Sequence, residues 1–161
     1  MNNVKKRIFT VACRKGVAIL TDSKPNANGK GSVKDFHAES SQIASLKAVN
    51  DLLSRMPVGV KFDYAVSLLL PETISYLSYE DTRNYWIANG KKKSGEVVAP
   101  DMLEEVKKLH KLLRIHSGNL QIFNQSKVTS SLYKSYIRAT WNTLDKYVPA
   151  EKQDTISCND F

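Results

Sequence analysis

The order of strand-like and helix-like segments is the feature that most constrains the fold of this chain. Three β-branched or apolar runs precede the first helical pattern, with turn residues between them. They predict strands over 7–13, 17–21 and 32–37, because short runs of this type bounded by Gly, Pro and Asn are typical of strands joined by turns. Strands connected this closely pair antiparallel. The chain is therefore expected to begin as an antiparallel meander.

After residue 40 the pattern alternates between helices and strands. Helical spacing runs over 40–55, and the nearly continuous apolar run over 61–70 predicts a strand covered on both faces. Further helices are predicted over 72–78, 79–89, 100–115 and 128–146, with a short strand over 120–124. This order predicts an α/β (α+β mixed) fold with a five-stranded mixed sheet flanked by helices.

Two of these helices carry specific expectations for their faces. In the helix over 100–115, Glu104 and Glu105 are expected to face solvent beside the lysines. In the last helix, the apolar and aromatic residues are expected to face the core. These are Leu132, Tyr136, Ile137, Trp141 and Leu144.

Length and composition predict a single domain over 1–148 and a flexible tail over 149–161. The chain has 161 residues, of which 42% are apolar, enough for one hydrophobic core. No apolar run approaches the roughly 18 residues that a membrane span needs, and no secretory signal pattern follows the first basic residues. A soluble, cytoplasmic and monomeric protein is expected.

Charge distinguishes this chain more than its cysteines and histidines do. Lys and Arg number 24 against 16 Asp and Glu, a net charge of +8 and a pI near 9.5. This excess favours a phosphate-bearing partner, because each neutralised phosphate releases a condensed counterion. The two cysteines, Cys13 and Cys158, and the three scattered histidines lack metal-ligand spacing, so no zinc site is expected. Cys13 is predicted to be a small buried residue on a strand.

Residues 85–103 carry a more specific pattern. Trp86-Ile87-x-Asn89 runs into the basic loop Gly90-Lys91-Lys92-Lys93, and the sequence over 97–103 opens the next helix. Together with the element order over 5–146, this pattern resembles the ribonuclease H family, which carries a basic protrusion here. The resemblance implies a ribonuclease H-like fold that binds a nucleic-acid duplex. The residues it implicates in binding are Lys91, Lys92, Lys93, Trp86, Asn89, Ser40, Ser41 and Gln42.

The same resemblance implies a degenerate, non-catalytic member. The family's chemistry uses four carboxylates around two divalent ions. The matching positions here are Val11 on the first strand, Ala44 on the first helix and Lys134 on the last helix, and the end of the fourth strand, 70–73, has no Asp. No cofactor is therefore expected.

A weaker alternative is a Mg²⁺-dependent ribonuclease with displaced acids, Asp22, Glu39 and Glu72. Only 17 residues separate Asp22 from Glu39, too few for the two further strands that the fold places between them. Asp22 and Asp35 are more simply interpreted as turn residues.

Two functional hypotheses remain open from the sequence. The first is a nucleic-acid-binding module for RNA/DNA hybrid or double-stranded RNA. The second is a protein-interaction or inhibitor module, such as a viral or mobile-element factor that uses the same fold. In a plainer interpretation the three lysines form a solvated loop tip, and Trp86 and Trp141 anchor the core.

Overall fold

The computed structural model describes residues 5–25, 31–56, 64–116 and 120–149. Five strands and five α-helices follow the predicted order. The strands are β1 (Lys5–Arg14), β2 (Val17–Pro25), β3 (Gly31–His37), β4 (Tyr64–Leu70) and β5 (Leu120–Asn124). The helices are α1 (Ser41–Arg55), α2 (Glu72–Ser75), α3 (Glu80–Asn89), α4 (Pro100–Ile115) and α5 (Ser131–Tyr147). Short 3₁₀ turns follow α2 and β5.

The five strands form one mixed sheet in the order β3-β2-β1-β4-β5. The β1–β2 and β2–β3 pairs are antiparallel, whereas β1–β4 and β4–β5 are parallel. The prediction of a five-stranded mixed sheet is confirmed. Because β1, β4 and β5 run in the same direction, their carboxyl ends meet at one edge of the sheet, where α/β folds place their ligand crevices.

Helices cover both faces of the sheet unequally. The larger core lies between the sheet and α1, α3 and α4, and alternate residues of the central strands, such as Phe9, Val11 and Leu68, point into it. On the opposite face, α5 packs over two smaller clusters built around Ile8, Leu69 and Tyr133 and around Ala12, Ile19 and Leu144. Cys13 is buried on β1 as predicted.

On the face of α5 that packs on the sheet, the prediction was wrong for one residue, Leu132. Leu132 is 52% exposed, whereas its neighbour Tyr133 is buried and its hydroxyl lies 2.9 Å from Ser67 Oγ. The helix begins at Ser131 rather than Val128, because the Ser130 hydroxyl accepts the Tyr133 backbone N–H. Tyr133, Thr140 and Leu144 are the residues of this helix that are buried.

The solvent-facing prediction was wrong for Glu105. Its side chain is only 8% exposed, and its Oε1 accepts a hydrogen bond of 2.9 Å from Asn50 Nδ2. The same amide donates to the Glu105 carbonyl at 3.0 Å. Lys108 Nζ also lies 3.6 Å from Glu105 Oε2. Asn50 and Lys108 thus supply the partners that allow a carboxylate to be buried where α1 and α4 pack together.

The interpretation of Asp22 and Asp35 as turn residues was also wrong. Asp22 lies within β2 and forms an ion pair with Arg7 of β1, which explains an acid on a strand. Asp35 lies within β3, where its carboxylate is 2.7 Å from His37 Nε2.

Within these described residues, no helix is long and apolar enough to cross a membrane. The predicted tail, apart from its first residue, Pro149, lies outside the described residues.

Candidate nucleic-acid interface

The basic loop is a hydrogen-bonded hairpin that begins where α3 ends. Gly90 adopts a left-handed conformation with φ of 66°, and its N–H bonds the Trp86 carbonyl at 2.7 Å, which closes the helix. The Val98 N–H then returns to the Gly90 carbonyl at 3.0 Å, and Lys91 pairs with Val97 in an antiparallel bridge. The loop therefore has a defined shape and presents its lysines from a fixed base.

The three lysines differ in how they are held. Lys92 lies 3.4 Å from Glu96 Oε1 and 5.6 Å from the centre of the Trp86 ring. Lys93 lies 6.0 Å from the centre of the exposed Tyr85 ring. Lys91 and Lys93 are exposed and form no ion pair with a described residue. Lys92 is thus partly neutralised, whereas two full positive charges face solvent on the loop.

Trp86 supports this loop from beneath. It is 2% exposed and lies 5.7 Å from Tyr76, measured between ring centres. The interpretation of Trp86 as a core residue is confirmed, and its inclusion among the ligand-contacting residues is corrected, because a ring buried this deeply has no free face for a base. Asn89 is exposed, and its amide donates to the Tyr85 carbonyl at 2.9 Å.

Ser40, Ser41 and Gln42 lie at the start of α1, and each makes a structural hydrogen bond. Ser40 caps the helix by accepting the Ile43 N–H at 3.1 Å. Ser41 Oγ accepts the Gly16 N–H at 3.0 Å, and Gln42 Nε2 donates to the Thr73 carbonyl at 3.0 Å. These side chains fix the corner between the β1–β2 turn, α1 and the segment after β4.

An open cleft of about 520 Å³ lies at the carboxyl ends of β1 and β4. Its residues come from both strand ends, the start of α1, the turn after β5 and α5. They are Cys13, Ser41, Pro71, Glu72, Thr73, Gln125, Ser126 and Trp141. Glu72 is the only carboxylate among them, and most of the surface that the cleft exposes is apolar.

Gln125 bridges the central strands at this cleft, a role that the sequence did not indicate. Its Nε2 donates to the Val11 carbonyl at 2.7 Å and to the Leu69 carbonyl at 2.8 Å. Trp141 Nε1 donates to Gln125 Oε1 at 2.9 Å, which fixes the orientation of the amide. Trp141 is partly buried against Ala12, Ile19 and Leu144, so it packs on the core and also orients Gln125.

The side chains that line the cleft do not provide the ligands that a pair of divalent metal ions needs. Such ions need several oxygen ligands, mostly carboxylates. In the described part of the chain, no group of three or more His, Cys, Asp or Glu side chains is placed to hold a metal ion.

The positions matched to the family's acids are also distributed differently from a metal centre. Val11 and Ala44 have no exposed surface and belong to the larger core. Lys134 is exposed on α5, which packs on the opposite face of the sheet. Of the displaced acids, only Glu72 lines the cleft, while Asp22 pairs with Arg7 and Glu39 is exposed before α1.

No family model and no curated protein sequence matches this chain. Solved structures do match it. The solution structure of the PFV RNase H domain superposes with a TM-score of 0.54, over 92% of this chain and 97% of that chain, at 10% sequence identity. This chain has a ribonuclease H-like fold.

A second ribonuclease H-like match is a foamy viral protease-reverse transcriptase in complex with dsDNA. The TM-score is 0.53, over 84% of this chain and 89% of that chain, at 7% identity. The two matches confirm the predicted fold class. At these identities the likeness concerns the backbone architecture alone.

Proposed function

We propose that this protein binds double-helical nucleic acid, RNA/DNA hybrid or double-stranded RNA, through the basic loop and does not cleave it. The observation that carries the proposal is the exposure of Lys91 and Lys93, which form no ion pair with a described residue, on a hydrogen-bonded hairpin of a ribonuclease H-like fold. A structurally similar foamy viral protease-reverse transcriptase has been solved in complex with dsDNA.

The construction of the loop supports a role in phosphate binding. Lysines bind phosphate as point charges, and such contacts contribute most when the backbone that carries them is already ordered. The Lys92 N–H bonds the Glu96 carbonyl at 2.8 Å, and the Gly95 N–H bonds the Lys92 carbonyl at 2.8 Å, so little backbone order remains to be gained on binding. A duplex recognised by its shape and phosphates fits this surface better than a base-specific site does.

The residues that line the cleft support the proposal that the protein does not cleave nucleic acid. Hydrolysis of a phosphodiester by two metal ions needs ligands that neutralise and position both ions. Among the described residues that line the cleft, Glu72 is the sole acid, and the Gln125–Trp141 pair occupies the end of β1 and β4 with neutral hydrogen bonds.

The test is a fluorescence-polarisation titration of the intact protein against RNA/DNA hybrid, double-stranded RNA, double-stranded DNA and single strands. Each is measured at two salt concentrations, with and without Mg²⁺, and a gel of the same samples reports cleavage. We expect salt-sensitive, Mg²⁺-independent binding of the hybrid or double-stranded RNA and intact strands on the gel.

The double variant Lys91→Glu/Lys93→Glu should weaken binding at least about tenfold and lower the salt slope by about 2, since each phosphate contact contributes roughly 0.9. Its matched control is Lys134→Glu/Arg138→Glu, the same charge change on exposed residues of α5 across the sheet. Equal loss in both double variants would mean that net charge alone drives binding. Absence of binding at modest salt would redirect the search to a protein partner, and cleavage would overturn the non-catalytic assignment.

A further inference from the structure

Arg83 of α3 is a buried cation in a position away from the basic loop. Its residue is 3% exposed, and its Nη1 donates to the carbonyls of Leu77 at 3.0 Å and Ser78 at 2.8 Å. Its Nε donates to His110 Nδ1 at 3.1 Å. These bonds hold the guanidinium in one orientation between the turn before α3 and the middle of α4.

The charge of Arg83 is not matched by a bound acid. No carboxylate of the described residues forms an ion pair with its guanidinium, and all its polar partners are uncharged carbonyls or an imidazole nitrogen. Buried charges in proteins are normally paired, because leaving one unpaired costs several kcal/mol. Burial and the nearby charge of Arg114 lower the pKa of Arg83, although Glu80 opposes them. The described residues thus leave this buried charge without an ion-pair partner, although the carboxylate of Glu80 stabilises it in part.

An open cavity of about 470 Å³ lies next to this residue. Arg83 lines it together with Arg114, which stands in the last turn of α4 and is exposed. The Nη2 group of Arg83 makes no hydrogen bond with a described residue, although Nη1 and Nε are both engaged. Arg83, held by the hydrogen bonds of Nη1 and Nε, and the exposed Arg114 therefore line the same cavity.

The other residues of the cavity define what it can accept. Ser78 is a small polar residue of the lining, whereas Leu113, Leu120 and Ile122 form an apolar wall. Glu80 lines the rim without forming an ion pair with Arg83, so its carboxylate is an internal competitor for an incoming anion.

We propose that the Arg83–Arg114 cavity is a binding site for a phosphate group. A planar guanidinium presents parallel N–H donors that match the spacing of phosphate oxygens, and two of them around one cavity neutralise a dianion. The phosphate is either a free small phosphate or the terminal phosphate of a nucleic-acid strand, and the two sources share this chemistry. The site does not use the basic loop, so it stands or falls separately from duplex binding.

The test follows backbone amide resonances of the full chain during titration with sodium phosphate, against sodium chloride of the same ionic strength. We expect saturable shifts around Ser78, Arg83 and Arg114, with a dissociation constant on the order of millimolar. Arg114→Ala, a change at an exposed residue, should weaken binding about tenfold. Glu80→Gln should strengthen it several-fold by removing the competing carboxylate.

The matched control is Arg138→Ala on α5, which removes the same charge on the far side of the sheet and should leave binding unchanged. A 5′-phosphorylated oligonucleotide and its 5′-hydroxyl counterpart identify the source. If the protein prefers the phosphorylated strand and Arg114→Ala abolishes that preference, the site binds a strand end. If inorganic phosphate binds saturably without that preference, the site binds a small phosphate. If neither probe gives an Arg114-dependent response, Arg83 serves only to hold α3 against α4 and the proposal is wrong.

Discussion

At the scale of single residues, the hydrogen bonds of partly buried polar side chains are the most distinctive feature of this protein. Gln125 satisfies two backbone carbonyls where the ladder between β1 and β4 ends, and Trp141 satisfies the remaining acceptor of the amide. A backbone carbonyl that loses its partner in a partly buried position costs free energy, so such a bridge stabilises the sheet edge that borders the cleft. The cleft is thereby held in a neutral, hydrogen-bonded state.

We predict that Gln125→Met lowers the free energy of unfolding by about 2 kcal/mol, because it removes both donors and the acceptor of Trp141 without changing the side-chain length. Urea unfolding measures the change. Gln121→Met, the same substitution at an exposed position of β5, should stay within about 0.5 kcal/mol of the parent. Similar losses in the two variants would show that the Gln125 bridge adds no stability.

At the scale of elements, the two faces of the sheet are stabilised in different ways. The face under α1 and α4 carries a continuous apolar core, whereas α5 covers two small clusters separated by hydroxyl contacts. Thr21 and Thr140 meet at 2.7 Å between their hydroxyl oxygens, and Ser67 meets Tyr133 at 2.9 Å. With less apolar area behind it, α5 depends more on its own cap and on these polar contacts.

We predict that Ser130→Ala destabilises the protein by about 1 kcal/mol, because the Tyr133 N–H at the start of α5 loses its acceptor. Thermal unfolding followed by circular dichroism measures the loss. The control is Ser131→Ala, one residue later, where the exposed side chain makes no hydrogen bond with a described residue. A larger effect at Ser131 than at Ser130 would contradict the assignment of the cap.

At the scale of the whole molecule, positive charge is concentrated in two separate places. The basic loop lies beyond α3, and Arg83, His110 and Arg114 lie between α3 and the C-terminal half of α4. Burial, followed by the positive charges of Arg83 and Arg114, lowers the pKa of His110 below its ordinary value of 6.5. The folded state therefore binds a proton at His110 less readily than the unfolded chain does.

This difference predicts how global stability responds to pH. Because the unfolded chain takes up the proton first, the contribution of His110 is fully present above pH 6.5 and is lost as the pH falls below it. The midpoint of thermal unfolding should drop between about pH 7.5 and about pH 5.5, and His110→Gln should reduce that drop. An identical pH dependence in the variant would contradict the coupling between His110 and the two arginines.

The sequence by itself determined the element order, the ends of α1 and α3, and the position of the basic loop. These follow from local rules: apolar periodicity specifies which face is buried, and Gly90 ends a helix because it adopts a left-handed conformation at little cost. The lysines needed no knowledge of the rest of the fold to be recognised as a charged, exposed loop.

Only the tertiary structure decided how the polar side chains are partnered. Gln125 meets Val11 across 114 positions of the chain, Asn50 meets Glu105 across 55, and Arg83 meets His110 across 27. A glutamine after a strand, an asparagine on a helix and an arginine beside an aromatic cluster all fit solvent-exposed positions by local rules. Their burial becomes favourable only when folding brings a complementary group within hydrogen-bonding distance, and sequence spacing does not encode that distance.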